Sequence, residues 1–244
     1  MTYLITDTIP RPFKSEGNRA FISKDSTMEK RTHFNLAFID SSAALLSILY
    51  IVFGIPVPES IYSLQPSDMA MPEADFLKPV IEAPELMIRF FTADSFLILG
   101  GIFVYMGMFA VVTERSRLIA GTGLGIGLIT ILLDLTENAF LISYAQQSVN
   151  GAAVTAPALP LLYVIANLKM TGSFAGFLVF GLSWPRRGII EWVLSSLMIL
   201  YAVIGVLSLA SPGFKLFRGI LFLLCFVFFV YYFFTLSRRQ MGGN

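Results

Sequence analysis

Six runs of about 20 or more apolar residues, separated by short polar turns, constrain this chain more than any other feature. A bilayer core takes about 20 residues as an α-helix, and within it backbone groups are satisfied only inside helices or closed barrels. The runs fall at roughly 35–56, 86–112, 118–144, 157–183, 189–210 and 216–236 and leave no room for a separate soluble domain. The expectation is an all-α, polytopic transmembrane helix bundle of about six spans. Composition agrees: 56% of the 244 residues are hydrophobic and only 14% charged, a balance that a water-soluble domain of this size does not carry.

Orientation follows from lysine and arginine, which collect in cytoplasmic flanks. Arg11, Lys14, Arg19, Lys24, Lys30 and Arg31 precede the first span; Arg115 with Arg117, Arg186 with Arg187, and Arg238 with Arg239 follow the second, fourth and sixth. All four groups fall on one side. The opposite side receives the acidic stretch with Glu59, Asp68, Glu73, Asp75, Glu82 and Glu85, and only Lys215 and Arg218 dissent. The expected organisation is a polar cytoplasmic segment at 1–34, a six-span domain at 35–236 with an extracytoplasmic loop at 57–85, and a cytoplasmic tail at 237–244. Residues 1–34 are mostly polar, and no cleavage site follows the first run, so that run is expected to stay as an anchor. Within the outer loop, Phe76, Leu77, Val80, Ile81, Leu86 and Ile88 alternate with charges, the pattern of a segment lying along the interface as a cap.

Local signals refine the spans. Pro56 and Pro58 should stop the first, and Pro84 should open the second. Gly121, Gly123, Gly125 and Gly127 form two overlapping small-xxx-small pairs that let a neighbour approach span three closely. The run FVFFVYYFF at 226–234 is expected to face lipid, with Tyr231 and Tyr232 near the cytoplasmic interface.

Ionisable residues at membrane depth cost a few kcal/mol each on insertion scales and therefore face a partner or a cavity. Asp134, Glu137 and Asn138 stand at i, i+3 and i+4, one face of span three. Two carboxylates that close do not both ionise cheaply without a cation. Lys169 supplies one: it lies about 12 residues into span four, near the depth of Asp134 at 1.5 Å rise per residue. Asp94 enters the second span from the same side and can join this cluster, whereas Asp40 sits near the other face. The candidate site is thus Asp134, Glu137, Asn138, Lys169 and Asp94. Such a group is either a helix clamp or a binding site, and for Asp94 or Asn167 taken alone the clamp is the better reading.

Other chemistries are poorly served. Nearly balanced charge, with 17 basic and 16 acidic residues, offers no surface for nucleic acid. One cysteine, Cys225, and one histidine, His33, leave no disulfide, zinc cage or catalytic dyad within the membrane. GTGLGIG opens a membrane helix rather than following a strand, so it reads as packing and not as a dinucleotide motif. Asp134 and Glu137 have half the spacing of a carboxylate metal site, yet a matching second motif is missing; no metal and no cofactor is assigned.

The TAD at 92–94, the DLTEN at 134–138 and the lysine of ANLKM at 166–170 together resemble a loosely defined group of uncharacterised bacterial multi-pass membrane proteins. In that group an Asp begins the second helix, an Asp-x-x-Glu-Asn motif occupies the third and a Lys follows in the fourth. The likeness spans Ala83 to Phe180 and carries over Asp94, Asp134, Glu137, Asn138 and Lys169. It supplies no activity, and the expected location is the cell inner (plasma) membrane. The long charged N-terminal segment and the additional C-terminal spans depart from the pattern.

Three functions fit, in this order. A binding or translocation protein would hold a proton, small cation or amphipathic molecule at the polar cluster, with a water-accessible path to Asp134. An accessory subunit would touch membrane lipids and other membrane subunits and have a closed bundle without a cavity. An intramembrane enzyme acting on a lipid or isoprenoid would use Glu137 or Asp134 as general acid and open laterally beside span three.

Overall fold

The computed structural model of the chain describes residues 16–55 and 72–239, with side chains from Thr32 onward. Of the expected outer loop, residues 57–71 lie outside the described residues, as do Pro56 at the end of the first run, 1–15 of the N-terminal segment and 240–244 of the tail. The described residues are helical and contain no strand. α1 runs Glu16–Leu49 and ends in a wider turn at Tyr50–Gly54; α2 is Glu73–Glu82, α3 Pro84–Thr113, α4 Arg117–Val149, α5 Leu159–Ser183, α6 Ile189–Ala210 and α7 Lys215–Arg239. Six stretches are long and apolar enough to cross a membrane: Thr32–Gly54, from α1 through its closing turn, then α3 to α7. This is an integral membrane protein of multi-pass helical type.

Helix ends follow the local chemistry. Ile55 is extended, as the residue before a proline must be, so the first span closes just ahead of Pro56; Pro56 and Pro58 themselves lie outside the described residues. Pro84 occupies the first turn of α3, where its missing N–H costs nothing. Ser116 caps α4 by accepting the Ile119 N–H at 3.4 Å. At the other extreme, α1 begins at Glu16, so the polar segment ahead of the first span continues into it as one helix.

The spans form a ring. Each packs on the next in chain order, and α7 closes onto α1. The closing contacts sit at the end that carries Arg115, Arg186 and Arg238, hereafter the basic end: Phe34 stacks on Phe233, Phe38 meets Phe234, and Ser237 donates to Asn35 Oδ1. Aromatic side chains fill the ring here. Trp184, Phe180, Phe229 and Phe233 are fully buried, and Phe177 links Tyr105, Tyr201 and Phe229 at centroid distances of 6.2, 4.8 and 6.1 Å. The sixth span therefore departs from expectation. Phe226, Phe229, Tyr232 and Phe233 face the protein, and Val227, Tyr231 and Phe234, spaced along one helix face, look outward.

The glycine pairs of α4 also divide. A Cβ at Gly123 would overlap the Phe180 ring and one at Gly127 the Tyr105 ring, whereas Gly121 and Gly125 face open space. One pair is thus a packing groove and the other lines the outer surface.

At the far end, α2 lies across the helix ends with Phe76, Leu77 and Val80 buried against Met87 and Phe91 of α3, Leu141 and Tyr144 of α4, and Leu159 and Leu162 of α5. Glu73 Oε1 accepts the Ala156 N–H at 2.6 Å, tying α2 to the turn between α4 and α5. Between this cap and the basic-end aromatic layer the ring is not filled.

Candidate functional site

Asp134 and Glu137 on α4 meet Lys169 on α5. The Lys169 ammonium lies 2.6 Å from Asp134 Oδ1 and 2.5 Å from Glu137 Oε2. Antiparallel neighbours joined by a short turn place residues of equal depth side by side, which is why spacing along the two helices anticipates the pair. The three side chains are 25%, 11% and 17% exposed in the order Asp134, Glu137, Lys169, so the ion triad is largely shielded.

Asn138 does not join that triad. It is 1% exposed, and its Nδ2 points to α3, donating to Asp94 Oδ2 at 2.9 Å, with Ser95 Oγ at 3.2 Å and the Phe91 carbonyl at 3.4 Å also in reach. The reason is angular: at about 100° per residue, consistent with 3.6 residues per turn, adjacent residues 137 and 138 already look toward different neighbours. The expected single cluster is thus two linked units, an α4–α5 ion triad and an α3–α4 amide–carboxylate tie. Asp94 stands between them, close enough to feel the charges of Asp134, Lys169 and Glu137. Asn167 is a local element only, donating to the Tyr163 carbonyl of its own helix at 2.8 Å.

Next to these units lies a cavity of about 330 Å³. Asp94, Asp134 and Lys169 border it, while Glu137 and Asn138 stand behind them. The lining also includes Tyr105, Phe177, Tyr201, Phe222 and Phe226, with Arg218 and Gly219 near the start of α7. Compared with protein-family models, curated proteins and solved structures, the chain matches none. What it does therefore has to be argued from this geometry.

Several lining residues escape sequence reasoning. Ser173 Oγ and Tyr201 Oη are 3.1 Å apart across α5 and α6. Arg218 reads in sequence only as an exception to the arginine asymmetry, yet it turns inward, donates to Ser208 Oγ at 3.1 Å and borders the cavity. That exception was the available signal: a cation on the side from which lysine and arginine are otherwise depleted calls for a local reason. Among the described residues, no group of three or more His, Cys, Asp or Glu side chains is placed to share a metal ion. No α1 residue borders the cavity, and Asp40 contributes only backbone packing against Gly100.

Proposed function

We propose that this integral membrane protein is a binding protein whose central cavity holds a small amphipathic molecule. The observation that carries the reading is the mixed lining of the space of about 330 Å³, where Asp94, Asp134 and Lys169 stand together with five aromatic side chains. A network whose only task is to clamp helices has no need of open volume beside its charges. Ligand sites commonly enclose about 300–1,000 Å³, are mostly apolar and converge a few polar groups on one end of the guest. The volume suits a molecule better than a bare ion, and the aromatic lining suits an apolar body. In this reading, Asn138 is a positioning residue that aims Asp94, and Glu137 holds the Lys169 ammonium so that Asp134 keeps its place at the cavity edge.

The test fills the cavity. Gly101 borders it, and a Cβ there would meet the Ile131 side chain at an ordinary 3.6 Å, so Gly101→Leu places its branch in the open volume. Wild-type protein purified in lipid nanodiscs is expected to release, on extraction, a small molecule that Gly101→Leu protein lacks. Identical extracts from the two proteins refute the reading.

A further inference from the structure

Resting on that reading, we infer that the occupant is a monocation, a small organic ammonium with an apolar body whose charged group stands beside Asp94. The inference begins with charge. Asp134 and Glu137 share the Lys169 ammonium, whereas Asp94, a third carboxylate on the same cavity, meets no cation of its own among the described residues. Charge without a partner is expensive at membrane depth, and a bound monocation supplies Asp94 with one.

Geometry says which carboxylate is open. Lys169 is committed to Asp134 and Glu137 at 2.6 and 2.5 Å. Asp94 borders the cavity with no Lys, Arg or His nitrogen within 4.0 Å among the described residues, and is held instead by the neutral amide of Asn138 at 2.9 Å. The orientation of that amide is itself informative. With Nδ2 aimed at Asp94, Asn138 leaves its own buried Oδ1 without a hydrogen bond, so the carboxylate is positioned at a cost. Rings of Tyr105, Phe177 and Tyr201 lie along the same space, and aromatic faces attract ammonium groups as well as apolar bodies.

Three probes of one shape separate the possibilities: 2-phenylethylammonium, 2-phenylethanol and 3-phenylpropionate, each titrated against the detergent-solubilised full-length protein at pH 7 while its unfolding temperature is followed. Gly101→Leu protein gives the background from probe partitioning into detergent. The ammonium is expected to stabilise at a concentration at least about tenfold below that of the alcohol, a selectivity of one factor of ten in Kd, and the carboxylate is expected not to stabilise. Asp94→Asn should bring the ammonium down to the level of the alcohol without affecting the alcohol. Alcohol and ammonium acting equally on wild type, or a preference that survives Asp94→Asn, overturns the cationic assignment while leaving the cavity reading intact. Stabilisation by none of the three overturns both. The wild-type comparison decides the matter even if the variant fails to fold.

Discussion

Replacing Lys169 with methionine is the perturbation whose size the structure fixes best. The ammonium contacts two carboxylates on α4 at 2.6 and 2.5 Å, and none of the three side chains is more than a quarter exposed. Methionine keeps most of the volume, so the change is electrostatic and leaves Asp134 and Glu137 facing each other without a cation. Breaking a buried ion pair by deleting one partner costs about 3–5 kcal/mol, because the surviving charge stays desolvated. An ordinary hydrogen bond between transmembrane helices averages only about 0.6 kcal/mol. The two magnitudes lead to different outcomes, and the residual exposure of the triad selects the lower part of the first range, about 3 kcal/mol. Lys169→Met combined with Asp134→Asn and Glu137→Gln removes all three charges and should recover to within about 1 kcal/mol of wild type, since a neutral replacement of a complete ion network is commonly tolerated. Equilibrium unfolding in mixed micelles at pH 7, followed by far-ultraviolet circular dichroism, measures both. A single-variant loss below about 1 kcal/mol, or a triple variant as unstable as the single, refutes the view that the triad is a shielded ion network.

Other expectations are more local. Asn138→Leu, which deletes the tie from α4 to Asp94 and Ser95, should cost about 0.6–2 kcal/mol in the same unfolding assay, the range of polar contacts between membrane helices. Gly127→Ala should destabilise by about 1–3 kcal/mol through overlap with Tyr105, a buried ring with little room to move. Gly125→Ala, two residues away and facing open space, should be neutral or gain up to about 1 kcal/mol from helix propensity. The arginine distribution predicts a cytoplasmic C-terminus. A C-terminal fluorescent-protein fusion should then fluoresce and an alkaline-phosphatase fusion stay inactive, and the reverse result would invert the whole bundle.

What could be read in advance and what could not divide along physical lines. The six spans are legible because a bilayer demands long apolar helices, and Pro84 marks its helix start because its chemistry acts locally. The Asp134–Lys169 contact is legible because depth in the membrane is a one-dimensional coordinate that can be counted along two neighbouring helices. Rotation is not such a coordinate. Asn138 shares a helical face with Asp134 on paper, but the direction of α3 relative to α5, which decides whether it meets Asp94 or Lys169, is set by packing of the whole ring. The aromatic run of α7 fails for a different reason: lipid is as apolar as the protein interior, so composition cannot distinguish Phe229, which is buried, from Val227, which is not. Ring closure between Asn35 and Ser237, separated by 202 positions, leaves no local trace at all.

On the proposed reading, the space beside Asp94 and Asp134 admits a guest and is not a sealed packing defect. Ser173 lines that space, and Cys225, the chain's one cysteine, is fully buried. A Ser173→Cys, Cys225→Ala protein in native membranes, treated with an aqueous maleimide and with a membrane-permeant one, reports directly on entry, with Asn150→Cys in the exposed α4–α5 turn as the reactive reference. The cysteine at position 173 is expected to be modified by at least one of the two reagents in the folded protein, and more slowly once Gly101→Leu fills the cavity. A thiol at 173 that reacts with neither reagent until the protein is unfolded contradicts that reading.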